Sequence, residues 1–308
     1  MNSYSGKANN DIPASLRLDR YVSEYLKLLN RSQVKSRNLT AEINGKSVKL
    51  SRIVKPGDLI HVTWDEFVET DLIPEDLPLN IIFENERVVV IDKDQGMVVH
   101  PGAGNSHGTL ANALYFRRLQ KCGEGQSVRS GLRPGIVHRL DKDTSGVIIA
   151  AYDDEALDYL ARQFKQRKTL KTYAAIIKGH LPCQKGKIET YISRDLRDRK
   201  KFAVHESKGK YALTYYKVIR EWKGYSLVLL RPKTGRTHQL RVHLKHLGHP
   251  ILGDPLYGGN DSHFADLTLM LHAKRLSIAL PPDGLRMTFK SPLPKRFRAL
   301  MLKLEKNA

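Results

Sequence analysis

Between residues 65 and 78 the chain reads DEFVETDLIPEDLP, with six acids, two prolines and no base. Like charges repel, and proline is kept out of helix interiors, so no packed element is expected to run through this stretch. It separates two basic blocks, residues 1–64 with a net charge of +6 and residues 79–308 with +20. The pattern predicts four parts: an N-terminal tail over 1–15, a small domain over 16–64, a solvated acidic linker over 65–78 and a large domain over 79–308. A chain of 308 residues buries roughly three quarters of its unfolded surface. No metal or disulfide staple is then required. Two cysteines, Cys122 and Cys183, exclude a disulfide framework and a multi-cysteine zinc site. They fit a reducing, cytoplasmic compartment.

The formal net charge of +20 points to nucleic acid as the partner, because each neutralised phosphate releases condensed counterions. A membrane is not expected. The longest strongly apolar run, Val147 to Ala151, falls far short of the roughly 20 residues a spanning helix needs. The N-terminal MNSYSGKANNDIP has no apolar core of the kind a secretory signal carries, and no basic amphipathic helix is long enough for surface attachment. A monomer is the expected state, since no amphipathic dimer helix stands out.

In the first block, Leu16, Leu18, Tyr21, Val22, Tyr25, Leu26 and Leu29 recur at helical spacing. A second, basic helix is expected over Arg31–Arg37. Asn44-Gly45 marks a two-residue hairpin, and Pro56-Gly57-Asp58 a turn before a strand over Leu59–Trp64. In the second block, NIIFENERVVVIDK, KTYAAIIKG, YALTYYKVIREW and GYSLVLLRP have the β-branched and aromatic content of strands. Helices are expected over Thr109–Gln120, Asp153–Lys168 and Pro294–Leu304. Strands and helices do not alternate as βαβ repeats do, so the fold class is α+β with a mixed, largely antiparallel sheet.

Gly104-Asn105-Ser106-His107-Gly108 spells G-x-S-x-G, but Pro101-Gly102-Ala103 precedes it where a nucleophile elbow needs a buried strand. His238, His243, His246 and His249 lie within twelve residues. Arg236, Arg241 and Lys245 surround them and no carboxylate lies inside the cluster, which favours hydrogen-bonding histidines over a zinc site. The most informative stretch is GIVHRLDKDTSGVIIAA, where polar His138–Ser145 sits between apolar runs, as a loop held by core strands does. Asp141 and Asp143 there admit three readings: a magnesium site, a structural ion pair, or an ionised carboxylate kept charged by a neighbouring cation.

The segment HRLDKDTSG (138–146) resembles the signature loop of the RluA family of pseudouridine synthases. Gly96–Asn105 resembles the stretch ahead of it in the large-ribosomal-subunit branch of that family. Lys171-Thr172-Tyr173, Thr234–His243, Gly248-His249-Pro250, Gly253-Asp254-Pro255, Leu271-His272-Ala273 and Ser291–Pro294 resemble its later motifs, in order. Residues 16–64 resemble an S4 RNA-binding domain through Arg17-Leu18-Asp19, Arg31-Ser32, Asn44-Gly45-Lys46 and Lys55–Asp58.

These resemblances imply a cofactor-free, metal-free isomerisation of uridine to pseudouridine, with large-subunit (23S) ribosomal RNA as the first expectation for the substrate. A transfer-RNA substrate and a non-catalytic ribosome-assembly factor are the alternatives. They imply Asp141 as the catalytic carboxylate, Tyr173 stacked on the uracil and able to serve as a base, and Arg236 paired with Asp141. Arg139 is expected to fill the gap left by the flipped nucleotide. His138, Arg241, Arg31, Lys35, Lys46, Arg197, Lys200 and Lys201 are expected to contact RNA, the last three in a gripping loop over Arg194–Lys210. A second basic patch spans Arg117–Arg133.

Overall fold

The structure is a computed structural model. It describes residues 2–29, 34, 38–65, 72–102, 104–122, 135–198, 200–259, 261, 263–264 and 266–306. The chain divides into two compact units, Met1–Asp71 and Leu72–Ala308.

The first unit is a four-stranded antiparallel sheet in the order β1-β4-β2-β3, formed by Asn2–Lys7 (β1), Thr40–Ile43 (β2), Lys46–Ser47 (β3) and Leu59–Trp64 (β4). Asn44 and Gly45 both take positive φ, as a two-residue hairpin twisting with its strands requires. Leu16, Leu18, Tyr21, Val22, Ile43, Ile60 and Val62 form its core. The helical periodicity is realised only as a turn at Leu18–Arg20 that widens into a π-helical segment, Tyr21–Tyr25. Most of the expected second helix, with Arg31 and Lys35, lies outside the described residues.

Two boundaries differ from the sequence expectation. Residues 2–7 are not a tail but an edge strand in full register with β4, from Asn2 opposite Trp64 to Lys7 opposite Leu59. NSYSGK has too few apolar side chains to show a period, since the backbone ladder holds it in place. Residues 72–78 are fastened to the second unit at several points, although Ile73, Pro74, Asp76 and Pro78 are exposed. Leu72 is buried beside Val89 and Ile91, and the Ile73 carbonyl accepts from Asn112 Nδ2 at 2.8 Å. The Glu75 carboxylate accepts from Gly108 N–H at 3.0 Å, just ahead of a helix N-terminus, where negative charge is favourable.

The second unit carries one ten-stranded mixed sheet, ordered β10-β9-β11-β12-β8-β13-β7-β6-β5, with β14 paired to β13. Its strands are Ile81–Glu84 (β5), Val88–Lys93 (β6), Ser145–Ala151 (β7), Leu170–Lys178 (β8), Lys185–Arg194 (β9), Phe202–His205 (β10), Lys210–Trp222 (β11), Tyr225–Pro232 (β12), Leu271–Ala279 (β13) and Arg286–Lys290 (β14). Among the described residues four helices accompany it: Leu110–Cys122 (α1), Asp154–Lys165 (α2), Gln239–His246 (α3) and Lys295–Lys306 (α4). This is the expected α+β class. The expected gripping loop over 194–210 is in part strand, because β10 pairs with β9. Asp153 caps α2 by accepting from Ala156 N–H at 2.7 Å.

Among the described residues all strand pairs are antiparallel except β7 with β13, joined at His272–Ser145 and Ala273–Gly146. The polar loop 138–144 leads into β7 at this junction. Gly146 is obligatory there: its φ is +115°, and a Cβ would lie 2.3 Å from the Ala273 carbonyl oxygen.

Candidate active site

Four anchors hold the polar loop from beneath. Lys93, 1% exposed, donates to the carbonyls of Asp94 (2.7 Å), Met97 (2.8 Å) and Lys142 (3.1 Å). Burial lowers its pKa to about 8, against the opposing charges of Asp143, Asp94 and Asp141. Gln95 Nε2 donates to Asp143 O at 2.8 Å. Ser145 Oγ bonds His272 Nδ1 at 2.9 Å and accepts from Arg296 Nη2 at 2.7 Å. His272 Nε2 meets Ser291 Oγ at 3.1 Å, and that hydroxyl donates to Asp92 Oδ2 at 2.7 Å.

Above the loop opens a cavity of about 460 Å³. Its wall includes seven lysines and arginines and one carboxylate, Asp141. Arg139, Tyr173, Arg236, His138 and Arg241 all border it with Asp141, so the three expected catalytic residues and three of the expected RNA contacts meet in one place. Lys46 lies in the first unit. Arg197, Lys200 and Lys201 lie on the turn between β9 and β10, outside the cavity lining.

The arginine facing Asp141 is not Arg236. Arg236 donates from Nε to the Tyr211 carbonyl at 3.0 Å. Arg241, on the buried side of α3, instead places Nη1 3.6 Å from Asp141 Oδ2. Its Nε and Nη2 are committed to Asp254 at 2.7 and 2.6 Å, and Asp254 also accepts from the amides of Leu256 and Tyr257. Burial opposes the Arg241 charge, but the bond to Asp254 and then the fields of Asp254 and Asp141 outweigh it and raise its pKa. Arg241 is 4% exposed, so it meets the cavity only through that one edge of its guanidinium. A guanidinium fixed on one acid thus presents its free edge to another.

His238 Nε2 stands 3.8 Å from the same Asp141 oxygen. Its Nδ1 meets the Tyr257 hydroxyl at 2.9 Å, and that hydroxyl accepts from Phe202 N–H at 2.9 Å. The phenol can donate its proton to Nδ1, and in that tautomer the imidazole proton sits on Nε2, facing Asp141. Burial lowers the His238 pKa and Asp141 opposes this. His238 takes φ +54° at the start of α3, a conformation rare outside glycine.

Tyr173 reaches the cavity from β8, and burial followed by the Asp141 charge pushes its pKa up. It is therefore a neutral phenol, suited to stacking or donating and not to removing a proton at neutral pH. Arg139 is exposed at the rim. His138 is held in the cavity wall by the fold: its Nε2 accepts from Ile149 N–H at 3.1 Å and its ring stacks on Phe164 at 4.5 Å. Burial, then Lys171, lowers its pKa to about 3.

Three of the clustered histidines have protein partners. His238 bonds Tyr257, His243 meets Thr214 and Thr190, and His249 meets the Lys178 carbonyl. Among the described residues no three His, Cys, Asp or Glu side chains converge, and Asp143 does not border the cavity. Sequence reasoning missed Tyr257, Lys93 and the role of Asp254. Only Asp254 left a signal, inside Gly253-Asp254-Pro255.

A fold of this kind, with one carboxylate in a cation-lined cavity, has its counterpart among pseudouridine synthases. The human RNA pseudouridylate synthase domain containing 4 matches at a TM-score of 0.59 and 27% identity, over 73% of this chain and 93% of that one. The family model described as RNA pseudouridylate synthase matches residues 87–246. The chain belongs to this family of RNA pseudouridine synthases, isomerases that convert uridine to pseudouridine in RNA. Among its relatives, ribosomal large subunit pseudouridine synthase D of Borreliella burgdorferi is 44% identical, over 92% of this chain and 88% of that protein. An uncharacterized RNA pseudouridine synthase of Chlorobaculum parvum is 40% identical over 95% of each.

Proposed function

We propose that this chain isomerises uridines of large-subunit ribosomal RNA, acting in the cytoplasm as a monomer, with Asp141 as its catalytic carboxylate. The net change breaks the N1–C1′ bond, forms C5–C1′ and moves one proton from C5 to N1, so no oxidant or other reactant is consumed. The observation that carries the assignment is the setting of Asp141, the one carboxylate among the described residues of the cavity wall. It faces Arg241 at 3.6 Å and His238 at 3.8 Å, both held by other residues. Electrostatic preorganisation of this kind costs nothing at the moment of reaction.

Tyr173 stacks on the extruded base, Arg139 enters the gap left in the RNA, and Arg236 meets a phosphate. Unpaired or weakly paired uridines are the natural substrates, because extrusion is least costly there. The name of the Borreliella burgdorferi relative supports the large-subunit target. The first unit acts as an S4-like RNA-binding module, with Lys46 exposed on its hairpin.

The test is to incubate the protein with large-subunit ribosomal RNA and map pseudouridine by carbodiimide modification and primer extension. Wild type is expected to modify discrete positions and Asp141→Asn none. Wild type forming no pseudouridine on any RNA offered would overturn the reading, and full activity in Asp141→Asn would overturn the role of Asp141.

A further inference from the structure

The sheet of the second unit has a face that the cavity does not use. Along β9 and β11 the even-numbered side chains from Ile188 to Ile192 and from Ala212 to Val218 turn inward, and α3 packs over part of that side through Thr190, Thr214 and His243. The odd-numbered positions point the other way, as the two-residue period of a strand requires. Tyr191 is 39% and Tyr215 42% exposed there.

The register sets Tyr215 between two cations. It lies directly opposite Lys187 on β9 and opposite Arg231 on β12. Directly opposed side chains stand roughly 5 Å apart at Cβ, close enough to act on one ligand. A few residues along the same face, Lys185 lies directly opposite Lys217, both exposed. Like charges in that position destabilise a sheet pair unless an anion intervenes. The one acid among these positions, Glu189, is already held by Lys187 at 2.7 Å and by the Tyr211 hydroxyl at 2.7 Å. Two residues beyond Arg231 is Lys233, exposed and part of the cavity wall.

We propose that this outward face is a second RNA-contact surface, on which Tyr215 stacks a base of single-stranded RNA between Lys187 and Arg231 as the strand leads to the cavity at Lys233. Exposed aromatic rings interleaved with cations suit single-stranded nucleic acid, because every base has a face to stack and every linkage carries a charge. The continuity with the cavity wall at Lys233 favours RNA over an acidic protein. The inference extends the RNA-modifying reading and does not need the identity of the target uridine.

The experiment uses the full chain and two readouts. Affinity for an oligouridylate is measured by fluorescence anisotropy at several salt concentrations, and KM and kcat are measured on large-subunit ribosomal RNA. Tyr215→Ala is expected to weaken oligouridylate binding about tenfold, the usual loss for one base–aromatic stack. Tyr215→Phe should restore it. KM should rise in Tyr215→Ala with kcat unchanged at saturating RNA. Lys185→Gln with Lys217→Gln should flatten the salt dependence by about 0.7 per lysine that meets a phosphate. Unchanged affinity and salt slope in all variants would overturn the proposal. So would a change in mass by light scattering with RNA affinity intact, since the face would then join protein copies. If wild type binds oligouridylate yet modifies no RNA, the enzymatic reading fails while this one stands.

Discussion

The loop that carries Asp141 and the turn between β9 and β10 are both short, polar and rich in charge, yet they are built in opposite ways. The first is tied to the sheet by a buried lysine, a glutamine, a histidine and an arginine that reach it from three other elements. The second is held mainly by its own bonds: Asp195 accepts from the amides of Arg197 and Asp198, and Lys201 N–H donates to the Asp198 carbonyl. Leu196 at its tip is 92% exposed. Chemistry that depends on tenths of an ångström belongs on the first kind of segment, and the grip on a variable RNA surface belongs on the second.

Four perturbations sharpen that contrast. The largest effect is expected from Asp141→Asn, which keeps the shape of the loop and removes the charge. Pseudouridine formation should fall by at least about a thousandfold with the unfolding midpoint unchanged. A parallel loss of stability would mean that Asp141 holds the loop and does not act from it.

Next comes Asp254→Ala, which strands the buried Arg241 guanidinium without its partner. Urea titration should show a loss on the order of 3–5 kcal/mol, whereas Asp195→Ala in the exposed turn should leave the midpoint almost unmoved. A loss of the same size at Asp195 would erase the distinction between the two sites.

The third is a pH profile. Burial holds the folded pKa of His243 and of His272 at about 4. Between that value and the ordinary histidine range the unfolded chain binds more protons than the folded one, so stability should fall as pH drops from about 6.5 towards 4. Lys93, with a folded pKa of about 8, acts in the alkaline range. The unfolded chain again binds more protons there, so its contribution rises from about pH 8 to about 10.5. Denaturant midpoints across pH 4–10 check both signs, and His272→Gln should flatten the acid limb.

The smallest effect belongs to Arg197→Gln, Lys200→Gln and Lys201→Gln combined. KM should rise several-fold and the salt dependence should weaken, with kcat unchanged. A fall in kcat would place the turn in the chemistry after all.

Much of the second unit was legible because its strands and helices bury large apolar faces. The strands over Val88–Lys93, Leu170–Lys178 and Tyr225–Pro232, and the helices near Thr109, Asp153 and Pro294, follow directly from periodicity. The edge strand β1 was not legible, because NSYSGK is fixed by backbone pairing and carries no pattern. Nor was α3, whose eight residues alternate apolar and basic groups closely enough to hide the helical stripe. That omission explains the confusion of Arg236 with Arg241. The two are five residues apart, and only the winding of α3 decides which one turns towards Asp141. Lys93 was out of reach for another reason: it acts on a carbonyl 49 residues away, and a bond to backbone leaves no trace in the partner's side chain.

The short parallel junction of β7 and β13 also bears on how this gene tolerates change. At residue 146 the obstacle to substitution is the first carbon of any side chain, which would meet the Ala273 backbone whatever chemistry follows it. Every single-nucleotide missense change at that codon encounters the same clash, and no second substitution in a neighbouring side chain relieves it. Four residues earlier, Lys142 is exposed and lends the loop only its backbone carbonyl, so most replacements there should pass without effect. Mutational tolerance in this loop therefore swings between extremes over a few codons.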